Sequence, residues 1–317
     1  MCLTLVGCDY EEDADDDSDG VGVLIVSDLG SSSIRTFTGV SALDSAVDIG
    51  LALSGSLTRL NRPGYLFVHP TTGELIVPDE GTGAVLFFDS PEEIEGNVPP
   101  DRVLFGPGTQ LAGPIQVHVD SSTDELYVLD RANSQVLVYN DATNIDGEVA
   151  PERRIGGGAT GILNPSAFFF RPSTEQMSVL NASEILTFES FRSANGQPAP
   201  SGRISGAATT FGNLSYAELT DSGTLVVIDS GAGQLLSFDN WAFDRSNEAP
   251  TRFMRGANTG LSGPTQFVIL EDTIYIADGD EILVYDELSS LEGNPFPSRR
   301  FSAINPNSEN LRGIVIP

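Results

Sequence analysis

A unit of about fifty residues recurs along this chain from Val21 to Pro317, and no other feature restricts the fold as strongly. Its clearest copy spans residues 112–162 and contains four short runs rich in β-branched and aromatic residues: IQVHV, ELYVLD, QVLVYN and RRI. Turn-forming residues bound each run, which is the pattern of short antiparallel strands joined by tight turns. A four-stranded repeat of this length is typical of a β-propeller blade.

Four series of equivalent positions give the number of copies. The turn before the first strand carries Pro63, Pro114, Pro165, Leu214, Pro264 and Leu311. The second strand ends in Asp28, Asp79, Asp130, Asn181, Asp229 and Asp278. The third strand carries an aromatic residue at Phe37, Phe88, Tyr139, Phe188, Phe238 and Tyr285. A Pro-x-Arg element opens the last strand at Pro100, Pro151, Pro250 and Pro297. The first three series have six members each, which predicts six blades. The fourth is also present one place late at Pro200 with Arg203, and the first blade lacks it.

The two ends of the repeat region share one blade. The first strand-like run, residues 23–28, matches a second strand, whereas the last, residues 311–317, matches a first strand. Pairing these two runs closes the ring and removes two open sheet edges. We therefore predict an all-β fold: a six-bladed β-propeller with four antiparallel strands per blade, closed by the C-terminal strand pairing into the N-terminal blade. Residues 21–317 form this single domain.

The net charge of the chain restricts the classes of partner that it can bind. It carries 45 acidic and 16 basic residues, all of the latter arginine, for a net charge of −29. Such a surface repels the phosphates of nucleic acids and of anionic lipids, so we expect neither as a partner. Two interpretations stay open: acidic side chains that keep the protein soluble, or a salty environment that screens their repulsion. A bias in genomic composition produces the same pattern.

The N-terminal segment, residues 1–8, ends in the run Leu-Val-Gly-Cys, which resembles a bacterial lipoprotein lipobox with Cys8 as the acylated residue. Seven residues before Cys8 are too few for a complete signal peptide, so either the start lies upstream or the match is accidental. Residues 9–20 contain eight acids and are expected to form a disordered linker. Asp15, Asp17 and Asp19 imitate a calcium loop, but Val26 stands where its closing glutamate belongs.

The run from Pro114 through ELYVLD to QVLVY, with copies such as TIYIADGDEILVY, resembles the NHL-repeat class of six-bladed propellers over residues 21–317. The resemblance implies the ring fold but leaves function open, because the class includes scaffolds, ligand binders and a few enzymes. Similar rings are the gluconolactonase-like and strictosidine-synthase-like enzymes, which hold a divalent metal in the central channel.

No catalytic constellation is recognisable in the chain. His69 and His118 are its only histidines, too few for the three imidazoles of a lyase-type zinc site. The six repeated Asp or Asn residues are interpreted as structural, since each can accept hydrogen bonds from the backbone of the following tight turn. The Pro-x-Arg arginines are expected to pair with acids of a neighbouring turn or blade. Candidate ligand-binding residues are those in the turns after the repeated aspartate: Glu80, Arg131, Asn133 and Asp280.

Two hypotheses for function follow. The first is a monomeric, lipid-anchored protein of the bacterial cell envelope, periplasmic or at the outer surface, whose propeller binds a small molecule or a protein without catalysis or cofactor. The alternative is a hydrolase or lactonase dependent on Ca²⁺ or another divalent metal at the channel mouth. A third option, a structural module for surface assembly, predicts an exposed apolar patch.

Overall fold

The computed structural model describes residues 22–38, 49–241, 246–302 and 310–317, and within them the backbone forms six four-stranded antiparallel sheets arranged as a β-propeller. Helical structure in these residues is limited to short 3₁₀ turns. The prediction of six blades with four strands each is confirmed. Residues 1–21, including Cys8, the linker at 9–20 and the calcium-loop-like aspartates, lie outside the described residues.

Each blade is numbered in chain order. Blade 1 contains β1 (Val23–Asp28), β2 (Ser33–Thr38), β3 (Ile49–Leu53) and the last strand of the chain, β24 (Leu311–Val315). Blade 2 contains β4 (Phe67–Val68), β5 (Leu75–Asp79), β6 (Ala84–Phe88) and β7 (Arg102–Leu104). Blade 3 contains β8 (Pro114–Asp120), β9 (Glu125–Asp130), β10 (Gln135–Asn140) and β11 (Arg153–Gly156).

The second half of the ring repeats this order. Blade 4 contains β12 (Ala167–Arg171), β13 (Gln176–Asn181), β14 (Glu184–Glu189) and β15 (Gly202–Ile204). Blade 5 contains β16 (Leu214–Leu219), β17 (Leu225–Asp229), β18 (Gln234–Phe238) and β19 (Arg252–Arg255). Blade 6 contains β20 (Pro264–Leu270), β21 (Thr273–Asp278), β22 (Glu281–Tyr285) and β23 (Arg299–Ser302).

Strand β24 closes the ring as the sequence predicted. It pairs antiparallel with β1, with Val26 opposite Ile314. The Ser27 hydroxyl donates to the Gly64 carbonyl of blade 2 at 2.8 Å and accepts from the Gly313 N–H at 2.7 Å. On the other side, the Ile314 N–H donates to Gln266 Oε1 of blade 6 at 2.9 Å. The closing strand is therefore bonded directly to blade 6, and it is linked to blade 2 through Ser27 of its own blade.

The apolar core lies between adjacent blades, and strand β9 shows why. Leu126 and Val128 pack into the cluster shared with blade 2, whereas Tyr127 and Leu129 pack into the cluster shared with blade 4. Because side chains alternate between the two faces of a strand, a strand covered on both faces becomes a continuous apolar run. This accounts for the unbroken ELYVL pattern in the sequence.

The repeated Asp and Asn residues anchor turns. All six are buried. The predicted backbone bond from the following turn is present at Asp28, Asp79 and Asp229. In blades 2 to 6 the side chain accepts a backbone N–H from the loop entering the blade, which the sequence did not predict. In blade 3, Gln135 donates its amide to Asp130 at 3.0 Å. In blade 4 the pair is exchanged, and Asn181 donates to Glu184 at 2.9 Å. Although Asn181 replaces the aspartate of the other blades, one amide donor still faces one carboxylate acceptor, so the hydrogen bond is kept.

The Pro-x-Arg arginines join adjacent blades. Arg102 Nη2 lies 2.6 and 2.7 Å from the two carboxylate oxygens of Glu74, and its Nη1 donates to the Ile145 carbonyl of blade 3 at 2.8 Å. Arg153 repeats the arrangement with Glu125 at 2.6 Å. The acidic partner thus comes from an arginine's own blade, and the neighbouring blade supplies backbone carbonyls.

A further repeat, not recognised from the sequence, connects the blades. Five Gly-x-x-Thr turns follow outer strands, and each threonine hydroxyl is buried and donates to the glycine carbonyl: Thr58, Thr109, Thr160, Thr209 and Thr259. The glycines have φ between 108° and 121°. Residues with a β-carbon rarely adopt this conformation, so glycine is required there. Among the residues described, no helix is long and apolar enough to cross a membrane.

Candidate functional site

The central channel is divided into two pockets. It is lined by the inner strands β4, β8, β12, β16, β20 and β24, which all begin at one face of the ring and end at the other. Tyr65 crosses it from blade 2, and its hydroxyl donates to the Ser215 carbonyl of the opposite blade at 2.9 Å. Its ring meets Tyr216 edge-on, with 5.4 Å between centroids. These side chains form a floor between the two ends.

The end at which the inner strands begin is a cavity of about 290 Å³, here called the basic mouth. Arg131, Arg312 and Tyr65 line it together with hydroxyl and amide side chains: Asn164, Ser166, Asn213, Ser215, Ser230 and Thr265. All six blades contribute. Among the described residues that line it, none is acidic, although the chain carries 45 acidic residues. This local reversal of charge marks the basic mouth as the candidate site.

Arg131 directly follows β9, where the repeated aspartate ends the strand. Its Nε donates to the Pro165 carbonyl of blade 4 at 3.0 Å, which fixes the guanidinium at the mouth. Burial lowers the pKa of Arg131, and the positive charge of Arg312 lowers it further. Within the described part of the chain Arg131 forms no ion pair. Two like charges therefore share one small cavity.

Arg312 is the second residue of β24. Its Nε and Nη2 are buried, and neither has a hydrogen-bond partner among the described residues. Its Cζ lies 5.1 Å from the centroid of the Tyr65 ring, a cation–π contact that satisfies no N–H. A buried donor without an acceptor costs about 1–3 kcal/mol. An anion in the basic mouth would offset the two like charges of Arg131 and Arg312 that meet there.

The four candidate residues proposed in the turns after the repeated aspartate lie in different places in the structure. Arg131 lines the basic mouth. Glu80 lies near it and raises the pKa of Arg131, but its carboxylate pairs with Arg62 at 3.1 Å. Asn133 is exposed and donates to the repeated aspartate of its own turn at 3.0 Å, so it braces that turn. Asp280 is exposed between β21 and β22, outside the mouth.

Seven of the twelve described residues that line the basic mouth come from two repeat positions. One directly follows the repeated aspartate and holds Leu29, Glu80, Arg131, Ala182, Ser230 and Gly279. The other directly follows the residue that opens the inner strand and holds Gly64, Ile115, Ser166, Ser215, Thr265 and Arg312. Arg312 is the one charged residue of the second series, a signal that sequence reasoning missed. Asp280 was proposed one position beyond the first series.

The opposite end of the channel is a cavity of about 300 Å³, here called the aromatic cup, whose lining includes Phe67, His118, Phe170 and Glu218. His118 stacks on Phe170 with 4.2 Å between centroids and 15° between planes. Burial lowers the pKa of His118 to about 4, so the imidazole is neutral at physiological pH. His69 is buried away from both cavities, and its Nδ1 accepts from the Thr71 N–H at 3.1 Å.

Among the described residues, Glu218 is the one acidic residue that lines the aromatic cup. Burial raises its pKa to about 7, and the negative charge of Asp221 adds to the shift. No hydrogen bond or ion pair to another described residue compensates its carboxylate. Because the folded-state pKa lies above the ordinary value of 4.5, the folded protein loses stability as pH rises from the ordinary value to about 7.

Glu218→Gln is therefore expected to increase the free energy of unfolding by about 1–2 kcal/mol at pH 8, a value reduced for the partial exposure of the side chain. At pH 4 the difference from the wild type should vanish, because the folded state then holds a neutral side chain in both proteins. Urea unfolding at pH 4, 6 and 8 measures it, with the exposed Glu152→Gln as the control. A difference that does not change with pH would contradict the assignment.

The described residues offer little for a metal ion. No group of three or more His, Cys, Asp or Glu side chains among them is placed to hold one. At the basic mouth, where the hydrolase alternative requires a divalent cation, the two guanidinium groups of Arg131 and Arg312 would repel it.

Comparisons with known proteins give information on the fold and none on the function. No protein-family profile and no curated protein sequence matches the chain. Among solved structures, the chain is similar to one in the crystal structure of a nidogen/laminin complex, with a TM-score of 0.63 and 14% sequence identity. The alignment covers 92% of this chain and 97% of that one. At this identity the likeness shows a shared propeller ring.

Proposed function

We propose that this propeller is a non-catalytic binding module that holds an oxyanion group, a carboxylate or a phosphate, of its ligand in the basic mouth. The observation that carries the proposal is the pair Arg131 and Arg312, which share one cavity without an acid among its lining residues. In a chain with a net charge of −29, two arginines without carboxylate partners require an explanation. A bound anion provides one.

The geometry favours binding over chemistry. Guanidinium groups bind carboxylates and phosphates through paired N–H donors, and they do so most strongly where water is excluded. The surrounding hydroxyl and amide groups can hydrogen-bond the rest of a polar ligand. The lining contains no Asp, Glu or His, so the described residues supply no general base beside the anion.

The ligand is a small molecule or the side chain of a partner protein. The similar ring from a nidogen/laminin complex supports a side chain of a partner protein as the ligand, because that ring comes from a protein–protein assembly. The large negative charge outside the mouth would repel a polyanion. A ligand with one or two anionic groups therefore fits best.

Calorimetric titration with succinate and with inorganic phosphate tests the site and distinguishes the two anions. We expect at least one of them to bind, with affinity at least tenfold weaker in Arg131→Gln and in Arg312→Gln, because each variant removes one charge-assisted pair. Arg300→Gln is the matched control, since Arg300 lies on β23 and pairs with Glu281 at 3.1 Å. Equal affinity of wild type and mouth variants, or equal binding of dimethyl succinate, would contradict the proposal.

We also propose an extracytoplasmic location in a bacterial cell envelope, with a lipid anchor on Cys8 and an NHL-like propeller beyond the acidic linker. The lipobox-like run and the linker at 9–20 support this arrangement. Mass spectrometry of the membrane fraction should find an acylated Cys8, and Cys8→Ser should release the protein from membranes, whereas Cys2→Ser should not. An unmodified Cys8 in the full gene product would refute the anchor.

A further inference from the structure

The aromatic cup differs from the basic mouth in both charge and polarity. Tyr65 and Tyr216 form the floor between them, and the cavities share no lining residue. The aromatic cup has a volume of about 300 Å³, which corresponds to roughly ten water molecules. This is enough for one aromatic ring with a short alkyl chain. A ligand of the aromatic cup would therefore contact a different set of residues from a ligand of the basic mouth.

The wall of the aromatic cup is a connected set of rings. Besides the stacked pair of His118 and Phe170, the Phe67 ring meets His118 edge-on at 5.6 Å and the Phe168 ring meets Phe170 at 4.9 Å. Phe67, His118 and Phe170 are only partly buried, so they present ring surface to the cavity. Because His118 is neutral, no cation among these rings competes with a cationic ligand.

Glu218 gives this apolar cavity a negative charge. It lines both the aromatic cup and an adjoining cleft of about 440 Å³ between blades 5 and 6, which also contains Asp221, Glu271 and Asp272. Arg252 reaches the same cleft, but its Nη2 is already paired with Asp239 at 2.8 Å. The field around Glu218 is therefore negative, and its carboxylate has no compensating partner among the described residues.

We propose that the aromatic cup binds an organic ammonium, with its charged nitrogen against Glu218 and its apolar body against Phe67, His118 and Phe170. An ammonium supplies the hydrogen bonds and positive charge that the carboxylate lacks. Its adjacent C–H groups are attracted to the faces of aromatic rings. The two halves of the site thus recognise the two halves of one ligand.

Neither a metal ion nor a neutral apolar molecule fits as well. A hard cation such as Ca²⁺ requires six to eight oxygen ligands, and Glu218 is the one carboxylate in the lining of the aromatic cup. A neutral apolar molecule would displace water from Glu218 without replacing its hydrogen bonds, which is unfavourable.

The test is a titration of the purified protein with 2-phenylethylammonium chloride at pH 8, followed by calorimetry and by NMR of the aromatic signals. We expect saturable binding, at least tenfold weaker binding of the neutral 2-phenylethanol, and at least tenfold weaker binding of the amine to Glu218→Gln. Glu152→Gln is the matched control for loss of one surface carboxylate and should bind as the wild type does.

Three results would overturn the proposal: no saturable binding of the amine, equal affinity for 2-phenylethanol, or unchanged affinity in Glu218→Gln. The double variant Arg131→Gln/Arg312→Gln should bind the amine as the wild type does, so failure of the oxyanion site and failure of this site are distinguishable. Glu218→Gln is expected to remain folded, because it replaces a poorly solvated carboxylate with its neutral isostere; its thermal unfolding curve checks this.

Discussion

Replacing Arg102 with alanine is expected to lower the free energy of unfolding by about 3–5 kcal/mol. The guanidinium is largely buried and bonds both carboxylate oxygens of Glu74, while Nη1 reaches the Ile145 carbonyl of the next blade. It also lies 4.2 Å from the centroid of the Phe87 ring. Truncation leaves the Glu74 carboxylate without its cation and a backbone carbonyl without its donor, so the cost includes desolvation that nothing offsets.

Urea unfolding of Arg102→Ala at pH 7 measures this loss, and Arg300→Ala provides the comparison. Arg300 pairs with Glu281 at 3.1 Å, but its side chain is 46% exposed, so its removal should cost less than about 1 kcal/mol. Similar losses in the two variants would show that the Pro-x-Arg arginines do not join the blades as the geometry indicates.

Ending the chain before Leu311 is expected to abolish cooperative unfolding. The deletion removes β24, whose Leu311 and Ile314 side chains are essentially fully buried and together contribute about 3–6 kcal/mol. It also removes the hydrogen bonds to Ser27 and Gln266 and exposes the edge of β1. The free energy of unfolding of a domain is only about 5–15 kcal/mol, so the loss of β24 would remove most of it.

Circular dichroism and size-exclusion chromatography would show the truncated chain as aggregated or without a sharp thermal transition. A chain that ends at Val315 keeps all of β24 and is the control, expected to unfold cooperatively. A synthetic peptide of residues 310–317, added during refolding, should restore the transition. A cooperative transition in the truncated chain without the peptide would contradict the role of β24 as the closing strand.

The ring could be predicted because each blade repeats the same physical requirements. A strand covered on both faces must be apolar throughout, as Leu126 and Tyr127 illustrate by packing into different clusters. The loop that enters a blade needs an acceptor such as Asp130. Six copies of these requirements are visible as a period in the sequence. The Gly-x-x-Thr turns show that even a repeated element can be overlooked when its hydrogen bond, from threonine to glycine, is local and weakly patterned.

The candidate site was predictable only in part. Arg131 was one of the four candidates in the turns after the repeated aspartate, and the structure places it in the basic mouth. Arg312 is 181 positions away along the chain, and nothing local indicates that the two charges meet. Glu218 was not recognised either, because an acidic residue at the end of a strand is unremarkable until its burial is known.

The sequence by itself determined the number of blades, their strand order and the closure by the C-terminal strand, because these follow from local patterns that recur with a fixed period. Only the tertiary structure decided which unlike residues face one another across the channel. Arg131 and Arg312 come from different blades, and so do Glu218 and His118; closing the ring brings each pair into one cavity. The interaction between two charges and the burial of each depend on their neighbours in space, and the spacing of repeats along the chain does not reveal those neighbours.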